Sequence, residues 1–129
     1  MSTHFIFVYG SLRGGSARSM SARFPESKFI AGAKVNGCLY DLGAYPGLQL
    51  NNSNSMVVGE VYEVDDELLE QLDDFEASSN YLRKQVEITI GAQRRMCWTY
   101  EPDPEFYSLR TLITSGDWLE YTETKTDSL

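Results

Sequence analysis

Apolar residues recur along this chain mostly with a period of two, and the exceptions locate its other elements. The run from Phe5 to Tyr9 is apolar, short and closed by Gly10, which predicts a buried first strand. Gly10, Ser11, Gly14 and Gly15 then predict a loop, and Ser16 to Phe24 a short helix that Pro25 ends. From Phe29 to Leu42 the pattern is extended, with a break expected at Asn36-Gly37, a dipeptide favoured in tight hairpin turns. Tyr45-Pro46-Gly47 marks a turn, Leu48 to Leu50 extends again, and Asn51 to Ser55 is a polar loop. Met56 to Val64 alternates around Gly59, with Val57, Val61 and Tyr62 supplying strand propensity.

The period changes at Asp65. Acids crowd the next turn, and Leu68, Leu69, Leu72 and Phe75 recur at helical spacing, so a helix is predicted over Asp65 to Ala77. Alternation returns in Tyr81 to Ile90, where Leu82, Lys84, Val86, Ile88 and Ile90 share one face. It continues in Arg94 to Tyr100, with Met96, Trp98 and Tyr100 on one side, and Gly91-Ala92-Gln93 joins the two as a hairpin. Glu101 to Glu105 carries two prolines and reads as a loop. Ser115-Gly116-Asp117-Trp118 introduces a short C-terminal piece, and the polar stretch from Tyr121 reads as a frayed tail.

Strands outnumber helices, and they do not alternate with them. The class is therefore α+β: a mixed, mostly antiparallel sheet or small β-barrel with few helices, and not a doubly wound nucleotide fold. At 129 residues the expectation is a single domain over residues 1–120 followed by a polar tail over 121–129.

Composition narrows the chemistry. No apolar run is long enough to cross a bilayer, and the Met1 to Phe5 start lacks the features of a secretory signal, so a cytoplasmic protein without a membrane partner is expected. Cys38 and Cys97 lie far apart with neither C-x-x-C spacing nor a second pair, and read as packing residues. His4 is the single histidine, which leaves no multi-histidine metal site. The net charge of -8 is uneven: Arg13, Arg18, Arg23, Lys28 and Lys34 face only Glu26 before residue 36, whereas Gly59 to Glu76 carries acids and no base. Such a surface repels phosphate backbones, so nucleic acid is not an expected partner.

Two features could carry chemistry. On the predicted helix, Leu68, Leu72 and Phe75 form one stripe with Leu69 and Glu76 at its edge, while Glu70, Asp73 and Asp74 point away. Partial burial, neighbouring acids and a place near the helix C-terminus would each push the pKa of Glu76 upward, and a carboxyl near neutrality can take and return a proton. The same position also suits a boundary residue whose stem packs while its head reaches water. The second feature is Tyr9-Gly10-Ser11-Leu12-Arg13, where a strand ending in small residues lets successive N–H groups converge on a carboxylate or a developing oxyanion. An ordinary turn leaving a strand reads the same way. The spacing matches neither a phosphate loop nor a dinucleotide fingerprint nor a nucleophile elbow. His4, some seven residues back along the strand, is out of reach as a base for Ser11. Tyr40, Tyr45, Tyr81 and Tyr100 either line a pocket or fill the core.

Taken together, Tyr9-Gly10-Ser11-Leu12, Tyr45-Pro46-Gly47, Gly59-Glu60-Val61-Tyr62, Leu72-Asp73-Asp74-Phe75-Glu76, Tyr81 with Arg83, and Ser115-Gly116-Asp117-Trp118 resemble the gamma-glutamyl cyclotransferase-like family over nearly the whole chain. The Leu-Asp-Asp-Phe-Glu run is similar to gamma-glutamylamine cyclotransferases, and the Tyr-Pro-Gly and Ser-Gly-Asp-Trp elements to small bacterial members. The resemblance implies a small barrel with the Tyr-Gly-Ser-Leu loop at a cavity mouth and Glu76 as the general acid/base. Tyr9, Gly10, Ser11 and Leu12 would hold the substrate, with Tyr81 and Tyr100 as pocket tyrosines. It implies a small gamma-glutamyl amide as partner, cyclised to 5-oxoproline with release of an amine or amino acid, without metal or cofactor; for the oligomeric state, monomer is the default expectation. Ala77 stands where the family usually has glycine, so a different loop geometry behind the glutamate is expected. An inactive protein of the same fold that binds a small carboxylate or a partner protein is the alternative.

Overall fold

Strand β1 (Thr3–Val8) lies inside the sheet, as its continuous apolar run requires: Ile6, Phe7 and Val8 are all buried. This arrangement belongs to a computed structural model that describes residues 3–10, 12–13, 20–43, 46–51, 54–77, 81–103 and 111–127. Both neighbours of β1 come from later in the chain. On one side β4 (Met56–Asp65) runs antiparallel, in register from Thr3↔Asp65 to Val8↔Glu60; on the other, β6 (Gln93–Pro102) runs parallel through Ile6↔Trp98.

β4 pairs outward with β2 (Lys28–Asp41), whose far half turns to β3 (Pro46–Leu50) and to the two-residue β7 (Thr111–Leu112). A register break between Phe29 and Ala31 marks an irregularity in β2. β5 (Tyr81–Ile90) forms a hairpin with β6 across Gly91 and Ala92, as the alternation predicted. The order is β3-β2-β4-β1-β6-β5, with β7 on β2, and every pair except β1 with β6 is antiparallel. The sheet curls until β3 comes against β6 and β2 against β5. The expected mixed, mostly antiparallel small barrel is thus present as a curled half-barrel.

The helix α2 (Asp66–Ala77) covers this sheet with Leu68, Leu69 and Leu72, all buried. Asp65 is its cap: the Asp65 carboxylate accepts the Leu68 N–H at 2.8 Å. Phe75, predicted to lie in the apolar stripe, is 38% exposed; its ring meets Phe24 edge-on and lies under the Arg23 guanidinium. Both partners come from the short helix α1 (Met20–Arg23) and its exit, the described part of the helix expected over Ser16 to Phe24.

Two expectations are corrected here. Asn36-Gly37 is not a turn, because β2 runs straight through it, with Asn36 opposite Met56 and Gly37 opposite Leu50. A Cβ on Gly37 would lie 2.6 Å from the Gln49 carbonyl, so the glycine serves the close approach of β3. The polar stretch from Tyr121 is helical, since α3 (Trp118–Asp127) begins with buried Trp118, which stacks on Tyr121, whose hydroxyl donates to Asp41 at 2.6 Å. Leu82, on the same face of β5 as buried Ile88, is 62% exposed. Among the described residues no helix is long and apolar enough to cross a membrane.

Candidate active site

The last turn of α2 brings two acids to the sheet. Glu76 is half-buried, and burial pushes its carboxyl up to about 7. Among the described residues it makes no hydrogen bond or ion pair, so nothing offsets the loss of water around its charged form. Asp73, one turn earlier, does not point away as the helical pattern suggested. It is partly buried, accepts the Tyr100 hydroxyl at 2.7 Å and lies 3.4 Å from the Arg83 guanidinium, which in turn rests 4.3 Å above the Trp98 ring. Sequence reasoning missed this Asp73–Arg83–Tyr100 group. The signal was there in the i, i+3 spacing of Asp73 and Glu76, which places them side by side on a helix.

Tyr100 links this turn to the glycine loop. Burial above all, and next its bond to Asp73, hold its phenol far above the ordinary range; the Glu76 charge adds to the effect. Its main-chain carbonyl accepts the hydroxyl of buried Tyr9, and the same Tyr9 oxygen accepts the Leu48 N–H at 3.2 Å. The Tyr81 hydroxyl donates to the Pro46 carbonyl, and Pro46 packs against Gly10, where a Cβ would stand 3.0 Å from its ring.

Tyr9, Gly10, Tyr81 and Tyr100 therefore converge on residues 46–48 and on the end of α2. All three tyrosine hydroxyls are engaged within the protein. Leu12 is buried, and Gly10 begins a turn whose carbonyl accepts the Arg13 N–H at 3.1 Å. Ser11, Tyr45 and the side chain of Ala77 lie outside the described residues. His4 is drawn away from the site, with its Nε2 bonded to Asp66 at the start of α2.

The chain as a whole is similar to known proteins. Residues 6–120 match the family described as Gamma-glutamyl cyclotransferase, AIG2-like. The chain belongs to that family. A Vibrio cholerae protein provisionally named gamma-glutamylcyclotransferase is 38% identical over 118 residues, covering 91% of this chain and 96% of its own. Among solved structures, YkqA from Bacillus subtilis superposes with a TM-score of 0.79 at 26% identity; the match spans 98% of this chain but 43% of YkqA. An AIG2-like protein from Mus musculus gives a TM-score of 0.73 at 24% identity, over 92% of this chain and 89% of that one, which is a likeness of fold. The family acts on small gamma-glutamyl compounds.

Proposed function

We propose that this chain cleaves a gamma-glutamyl amide by letting the substrate's own α-amine attack its γ-carbonyl. A C–N bond forms to close 5-oxoproline, the C–N bond to the leaving group breaks, and an amine or amino acid departs. The attacking nitrogen gives up a proton and the leaving nitrogen takes one, and Glu76 carries it between them. The observation that supports this most is the Glu76 carboxyl, sheltered at the end of α2, poised near pH 7 and free of any partner among the described residues. An ordinary exposed carboxylate would be too weak a base for the first transfer and too rarely protonated for the second.

In this reading the Tyr9 to Leu12 backbone holds the α-carboxylate and the γ-carbonyl oxygen, folding the substrate so that amine meets carbonyl, which supplies much of the rate. Tyr9, Tyr81 and Tyr100 act through position: their hydroxyls are committed to Tyr100, Pro46 and Asp73, so they stiffen the wall of the site rather than donate to substrate. No enzyme nucleophile enters the scheme. Cys38 and Cys97 are free thiols, in keeping with a reducing compartment, and we place the protein in the cytoplasm as a monomer.

Incubation with a panel of gamma-glutamyl amides tests the proposal. Release of 5-oxoproline supports cyclisation, free glutamate would indicate hydrolysis, and binding without turnover would make the protein an inactive member of its family.

A further inference from the structure

Arg13 and the Ser115-Gly116-Asp117-Trp118 stretch take no part in the chemistry above, yet they meet across 104 positions of sequence. Arg13 Nη1 donates to Asp117 Oδ1 at 2.8 Å, and only 11% of the arginine side chain is exposed. Glu60 lies beside it, with Oε2 4.0 Å from Nε, and Glu60 is itself held by the Tyr62 hydroxyl at 2.8 Å. Among the described residues the buried Arg13 Nε has no hydrogen-bond partner. Burying a charged group and leaving one donor unmet is a poor way to gain stability. The placement therefore calls for another reason.

Both ends of the contact are fixed, and one of them is the glycine turn. At that end the Arg13 N–H donates to the Gly10 carbonyl at 3.1 Å, and the carbonyl of buried Leu12 accepts the Met20 N–H at 2.7 Å. At the other, Gly116 has φ +68, and a Cβ there would fall 1.9 Å from the Met56 carbonyl oxygen, so only glycine can sit so tightly on β4. Its carbonyl accepts the Val58 N–H at 2.8 Å, and Asp117 caps α3 by accepting the Glu120 N–H at 3.1 Å. Burial works to raise the Asp117 carboxyl, but the Glu120 N–H and the Arg13 guanidinium outweigh it and hold the group below its ordinary range.

The geometry points to Arg13 and Asp117 as positioning residues: the C-terminal segment clamps the Gly10–Arg13 turn in the conformation that receives the substrate's carboxylate, an inference that rests on the role proposed above for that turn. In this role neither side chain contacts the reacting atoms. The clamp should therefore govern substrate affinity and leave proton transfer alone.

The test uses Asp117→Asn, Arg13→Met, Arg13→Lys and the double variant Arg13→Met/Asp117→Asn. Asparagine caps a helix about as well as aspartate, so Asp117→Asn weakens the clamp while α3 stays in place. Asp117→Asn and Arg13→Met are each expected to raise KM on the order of tenfold while kcat and its pH dependence stay near wild type. The double variant should be no worse than the poorer single, because both break one contact. Arg13→Lys should recover part of the loss. Amide exchange at Arg13 should quicken in Asp117→Asn while that at Val58 stays slow.

A KM left at its wild-type value in Asp117→Asn, or effects that simply add, would overturn the inference. If Arg13→Met does not fold, Asp117→Asn decides alone. Should the wild type turn over no gamma-glutamyl amide, the proposed function fails by itself; exchange at Arg13 then judges the clamp, and unchanged protection in Asp117→Asn rules it out.

Discussion

The hydroxyl of Tyr9 donates to the main-chain carbonyl of Tyr100, tying the end of β1 to β6 beyond the Ile6–Trp98 pairing. Because the same oxygen accepts the Leu48 N–H, one atom holds three strands at the place where the curl of the sheet closes. Tyr9→Phe keeps the ring and deletes that atom. The expected cost is about 1–3 kcal/mol of unfolding free energy, read from urea denaturation, since buried backbone groups lose their partners. A variant as stable as wild type would show that the hydroxyl is idle.

Glu76 makes a prediction of unusual sign. Its folded-state pKa of about 7 lies above the ordinary 4.5, so the folded protein binds the proton more tightly than the unfolded chain does. The stabilising contribution is complete below about pH 4.5 and disappears as pH climbs through 7. Glu76→Gln should therefore match the wild type in acid and overtake it at pH 8. The margin expected is on the order of 1–3 kcal/mol, allowing for the part of the carboxyl that water still reaches. Denaturation midpoints across that range decide it.

The same variant should lose turnover by at least about a hundredfold while still binding 5-oxoproline. In the wild type, kcat/KM should fall on the acid side with an apparent pKa near 7, as the base becomes protonated. Any residual activity of Glu76→Gln should lack that limb. A variant with full activity would remove Glu76 from the mechanism.

Gly37→Ala separates two readings of Asn36-Gly37. In a hairpin turn the methyl would face solvent; within β2 it would run into the Gln49 carbonyl, 2.6 Å from the Cβ position. Destabilisation of about 1–3 kcal/mol is expected, as for other overpacked sites, and a thermal melt measures it.

Asp73 holds both Tyr100 and Arg83. Asp73→Ala leaves the buried end of Tyr100 without its acceptor and should cost about 1–3 kcal/mol, whereas Asp73→Asn, which keeps an acceptor oxygen, should cost less. Equal urea midpoints for the two variants would contradict this account.

What the sequence made legible was local. Period-two alternation located β4, β5 and β6, helical spacing located α2, and Asp65 announced its start; each signal is written in neighbouring residues. The family's motifs supplied the curl of the sheet and the candidate glutamate. Long-range geometry stayed hidden. Asn36-Gly37 has turn chemistry, but the nearness of β3 decides what the glycine is for, and no local pattern reports β3. Likewise the polar residues after Tyr121 look unfit to fold until Asp41 is seen to accept the Tyr121 hydroxyl. At the candidate site, Glu76 could be placed on a helix edge, whereas the engagement of Asp73 depended on strands that arrive later in the chain.

The interior place of β1 has a consequence for how the molecule is made. Within this domain β1 is synthesised before both of its neighbours, β4 and β6, so its apolar run from Phe5 to Tyr9 has no finished partner on one side until Trp98 has been made. A nascent chain must carry that sticky segment while the residues up to β6 are made, which makes slow translation or early release an aggregation hazard and a chaperone a natural escort.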